Sequence, residues 1–63
     1  MVFEILKKRR KKLRLTQKKL AERVGLSAQH ISRIERGELD IKLSTLMALC
    51  RELGLEISFK VLK

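Results

Sequence analysis

Apolar positions recur at helical spacing in four stretches of this chain and then switch to alternation. In "VFEILKKRRKKLRL", Phe3, Leu6, Arg10 and Leu13 fall three and four residues apart, which is one face of a first helix. Arg10 interrupts that stripe, so either the helix turns there or Arg10 is partly buried beside an acidic partner. A second helix is expected over about Gln17 to Val24, with Leu20, Ala21 and Val24 facing in. Thr16 stands just before it, where a hydroxyl can accept from the free N–H groups of the first turn. Gly25 fits the left-handed position that ends a helix, a conformation that costs other residues about 1 kcal/mol. Ser27 is the matching cap of a third helix, about Ala28 to Arg36, with Ile31 and Ile34 facing in and Gly37 as its stop.

The loop "GLS" is so short that the second and third helices must meet at a steep angle, and small Ala21 lies where they cross. Two short helices joined by a tight glycine turn read as a helix-turn-helix. A fourth helix is expected from roughly Leu43 to Leu53, with Leu43, Leu46, Met47, Leu49, Cys50 and Leu53 on its apolar side and Gly54 ending it. Its start is ambiguous: Asp40 and Ser44 are good caps, Lys42 a poor one. The tail "LEISFKVLK" alternates, with Ile57, Phe59 and Val61 on one side and Glu56, Ser58 and Lys60 on the other, a strand pattern. A lone strand leaves its backbone groups unpaired. Its partner is either the same segment of a second molecule, paired antiparallel about a two-fold axis, or residues 2–5; a frayed tail is the remaining alternative. The expected fold class is therefore mainly α, a four-helix bundle with a C-terminal β-strand. Residues 1–55 form the domain and 56–63 a dimerisation strand.

Composition narrows the function. Sixty-three residues make one domain with a marginal core. One cysteine, Cys50, and one histidine, His30, allow no disulfide and no metal site, and no cofactor is expected. No apolar run spans a bilayer, and "MVFEILKKRRKK" is too short in its apolar part for a signal peptide, so a soluble cytoplasmic protein without membrane contact is expected. Sixteen Lys and Arg against seven Asp and Glu give +9. Residues 1–14 hold seven basic and one acidic residue, 15–37 five and two, and 38–63 four and four, so all the excess lies in the first 37 residues. A basic half beside a neutral half suggests a face for a polyanion. No carboxylate pair, phosphate loop or nucleophile–base pair suggests an enzyme.

"LTQKKLAERVGLSAQHISRIERG" resembles the XRE-type helix-turn-helix regulators, the family of Cro and lambda repressor, and the likeness covers about residues 5–55. The resemblance implies a lambda-repressor-like bundle that binds double-stranded DNA, usually as a homodimer. "LSTLMALCRELGLEISFKVL" is similar to the end of HipB-like antitoxins, which implies strand pairing across a dimer and a possible toxin protein as partner. Two departures stand out. Arg14 occupies a place where the family commonly has Gly, so it is either left-handed or lengthens the first helix, and Ile41-Lys42 replaces a Pro-Ser type of start before the fourth.

In this motif the third helix enters the major groove. Its outward residues would be Ser27, Ala28, Gln29, His30, Ser32, Arg33 and Arg36. Gln29 suits a bidentate contact to adenine, Arg33 one to guanine, and Ala28 offers a methyl to thymine; each good bidentate contact gives about 1–3 kcal/mol of discrimination. Thr16, Gln17 and Lys18 at the start of the second helix, with Ser27, His30, Ser32 and Arg36, are candidates for phosphate. The resemblance points the same way for Gln17, and it implies an ion pair between Arg10 and Glu35 that ties the first helix to the third.

Overall fold

The computed structural model describes residues 2–62, so Met1 and Lys63, the outer ends of the two expected segments, lie outside the described residues. Four helices follow one another: α1 Val2–Lys12, α2 Gln17–Val24, α3 Ala28–Glu35 and α4 Leu43–Leu53. The pair α2 and α3 packs most closely; α1 bridges α3 and α4, and α4 also rests on α2. Leu6, Leu20, Ala21, Ile31, Ile34, Leu49, Cys50 and Leu53 are buried where the four meet. Leu20, Ile31, Leu49 and Leu53 are almost fully enclosed. Burying each such side chain stabilises the fold by about 1.5–3 kcal/mol.

Local chemistry explains why α2 and α3 start and stop where they do. The Thr16 hydroxyl accepts from Lys19 N–H, and the Ser27 hydroxyl from His30 N–H, both at 3.0 Å. Arg36 caps the end of α3 rather than extending it. Gly37 follows with φ +73°, and a Cβ there would stand 2.9 Å from the Phe3 ring. The backbone angle calls for glycine, and a Cβ would in addition make the half-buried Phe3 ring shift. Helix α4 begins after Lys42, which makes no side-chain cap bond, so Asp40 and Ser44 do not set its start.

Some expectations about exposure do not hold. Leu13 is 40% exposed, Met47 51% and Leu43 58%. The strip of α4 that α1 and α2 cover is narrower than its apolar side, and Leu13 falls in the turn beyond α1. No described residue of the tail forms a strand, which corrects the expectation for Ile57, Phe59 and Val61 within one chain. Residues 2–5 cannot pair with the tail as a strand because they lie in α1. Leu55 and Ile57 instead pack against the core, while Phe59, Val61 and Leu62 stand 84–90% exposed.

Arg14 takes the left-handed option, at φ 58°. Helix α1 closes there with Arg14 N–H donating to Lys11 O and Leu15 N–H to Arg10 O. An exposed L-residue in that conformation carries strain. Arg14→Gly is expected to raise stability by about 0.5–1 kcal/mol after the added freedom of the unfolded chain is subtracted, read as a higher urea midpoint; an unchanged or lower midpoint would show that Arg14 gains more from its side chain than it loses in its backbone.

Candidate nucleic-acid interface

Arg10 organises the region behind α3. Its Nε donates to Glu35 Oε2 at 2.6 Å and its Nη2 to Glu35 Oε1 at 3.0 Å. Its Nη1 donates to Leu15 O at 2.7 Å, in the loop between α1 and α2. Gln17 Nε2 donates to the same Glu35 Oε1 at 2.9 Å. One buried carboxylate thus accepts from α1 and α2 while belonging to α3. Arg9 adds a second tie, Nε to Leu53 O at 2.7 Å, at the end of α4. No described buried side-chain nitrogen or oxygen lacks a partner.

The side chains of Arg10 and Glu35 are 9% and 3% exposed. Burial on its own raises the Glu35 pKa, but hydrogen bonds from Arg10 and Gln17 and the charges of Arg10 and Lys7 together outweigh it. The carboxyl sits below its ordinary value of 4.5. Burial pushes the Cys50 thiol above its ordinary value, so it stays protonated at neutral pH.

The outward side of α3 is polar. Gln29, Arg33 and Arg36 are exposed; Ala28, His30 and Ser32 are half-buried. Ile31 and Ile34 lie on the opposite, buried side. Thr16 and Lys18 are exposed at the start of α2, and Gln17 beside them is half-buried with one amide N–H already given to Glu35. The exposed Ser27 hydroxyl caps α3. An open groove of about 660 Å³ runs along α3, lined by Ser27, Gln29, His30 and Arg33 on one wall and by Asp40, Lys42 and Thr45 on the other. The Asp40 to Thr45 wall was not foreseen, because only the chain reversal after Gly37 brings it there.

Residues 6–60 match the sequence pattern of the helix-turn-helix family. The chain belongs to that family. It is 42% identical over 57 residues to the immunity repressor protein of Bacillus phage phi105, covering 90% of this chain and 40% of that protein. Over 56 residues it is 40% identical to the HTH-type transcriptional regulator y4dL of Sinorhizobium fredii, covering 89% and 29%. An HTH-type transcriptional regulator of Methanothermobacter thermautotrophicus is 40% identical over 52 residues, covering 82% and 75%. The chain therefore spans well under half the length of the first two of these relatives. No described helix is long and apolar enough to cross a membrane.

The position of Glu35 gives a pH prediction. Its folded-state pKa is lowered, so its stabilisation is present above the unfolded value and is lost as pH falls through the folded one. Removing one partner alone would cost about 3–5 kcal/mol. Replacing both, Arg10→Met with Glu35→Leu, is expected to flatten the fall in urea midpoint between about pH 5 and pH 3 relative to the native chain. An equal fall in both proteins would assign acid sensitivity to other carboxylates.

Proposed function

We propose that this chain is a sequence-specific double-stranded DNA-binding regulator, a dimeric repressor that reads a pseudo-palindrome through the major groove. The observation that carries this reading is the two-sided character of α3. One side, Ile31 and Ile34, is locked into the core. The other presents Gln29 and Arg33 to solvent on a helix fixed by the Arg10–Glu35–Gln17 cluster. Family membership and the likeness to transcriptional regulators and a phage repressor support it.

In this reading Ala28, Gln29 and Arg33 meet base edges. Thr16, Gln17, Lys18, Ser27, His30, Ser32 and Arg36 meet phosphates, helped at α2 by the free N–H groups of the helix start. The +9 charge adds a salt-sensitive attraction common to all sequences. Residues 1–55 form the DNA-binding unit. Ile57, Phe59 and Val61 lie in a segment that pairs as a strand with its copy across the two-fold axis.

Two features support association with a second copy. Residues 38–63 carry no net charge, so two copies meeting there avoid the repulsion of their basic halves. A cleft of about 220 Å³ between α1 and α4 is lined by Val2, Ile5, Leu46, Cys50, Leu55 and Ile57, and Phe59 and Val61 further along the tail are exposed. Apolar surface gathered in this way marks a protein contact.

Duplexes selected from a random pool test the reading. Arg33→Ala is expected to weaken binding to the selected site by about ten- to a hundredfold while changing binding to a shuffled duplex far less; equal losses on both would remove Arg33 from base reading. Phe59→Asp is expected to shift sedimentation toward monomer. An unchanged dimer would refute the pairing of tails, and capture of a different protein by this face would favour the antitoxin reading.

A further inference from the structure

Glu38 is pinned by its own backbone. Its N–H donates to Arg33 O at 3.0 Å, closing α3 just after the left-handed Gly37. From that fixed point its carboxylate reaches two guanidiniums. Oε2 lies 3.0 Å from Arg36 Nε, and Oε1 lies 3.7 Å from Arg33 Nε. All three side chains are about half exposed, with Arg33 at 46%, Arg36 at 56% and Glu38 at 47%. Arg33 lines the same open groove along α3 as Gln29.

Both contacts approach the arginines through Nε. No described contact occupies the Nη groups of Arg33, and two such donors can match O6 and N7 of guanine. We propose that Glu38 is a positioning residue that sets specificity, its charge drawing the Nε side of the Arg33 guanidinium inward so that the outer edge is presented to a guanine. The inference rests on the DNA-binding reading given above.

Two physical effects act together. A long arginine side chain loses freedom when it docks, and a partner that restrains it beforehand reduces that loss only where the restrained pose is the one used. That pose serves a guanine edge; phosphates accept an arginine from many directions. The Glu38 carboxylate also repels phosphates at every sequence, which weakens contacts that carry no sequence information. Repulsion lowers binding to every duplex alike, whereas restraint favours the specific site alone, so it is restraint that raises the ratio between them. As an exposed ion pair, the contact adds little to fold stability.

The test compares native chain and Glu38→Gln on a duplex selected from a random pool and on a shuffled duplex, at one salt concentration. Glu38→Gln is expected to lower the affinity ratio about two- to tenfold, the selected site losing affinity relative to the shuffled duplex. Repeating the selection with the variant is expected to relax the guanine preference at one base pair per half-site and to keep the rest of the pattern. In an Arg33→Ala background the substitution should leave the ratio unchanged. An unchanged or increased ratio, or a guanine preference kept intact, would overturn the role of Glu38 while leaving DNA reading in place. A native chain with no preferred duplex would overturn both.

Discussion

One guanidinium holds together what the rest of the molecule presents. Arg10 donates to Glu35 on α3 and to the loop carbonyl of Leu15, and Glu35 in turn accepts from Gln17 on α2. Three helices are thereby registered at a single buried carboxylate. A buried charge without a partner is expensive, so the cluster is stable only when complete. This makes it a geometric lock more than a source of net stability. Short helices need such a lock: α2 and α3 have eight residues each, below the length at which isolated helices persist in water.

The lock divides the labour along α3. Ile31 and Ile34 go to the core, Glu35 goes to the cluster, and Gln29, Arg33 and Arg36 remain outside. Each turn of the helix thus has a fixed side and a free side. In the proposed function the free side gains affinity because little of it must be ordered on docking. Gln17 joins the two regions: its amide is tied to Glu35 while the backbone at the start of α2 stays open to an anion.

Helices α2 and α3 were legible because their signals are local. Thr16 and Ser27 cap, Gly25 turns, and the isoleucines keep helical spacing. The start of α4 was not, because Lys42 makes no cap bond and Leu43 after it is exposed, so no local signal marks the boundary. Leu13, Leu43 and Met47 read as inward by spacing alone, yet the width of the packed strip depends on neighbouring helices. The alternation of the tail is real in sequence, but a strand exists only in its ladder, and within one chain residues 55–62 have none. Among the candidate site residues, the outward side of α3 follows from helical spacing. The meeting of Glu38 with Arg33 and Arg36 does not, since the chain leaves the helix at Gly37 and spacing rules lapse there.

The surface that meets the duplex decides how this molecule works. The most direct measurement is a nuclear magnetic resonance titration of the labelled chain with a duplex bearing a selected site, following backbone amides and the side-chain resonances of Gln29 and Arg33. The account predicts that shifts concentrate at the start of α2 and along the outward side of residues 28–36, with the arginine and glutamine side chains moving most. Shifts confined to α4 and the tail, with that side of α3 unmoved, would contradict it.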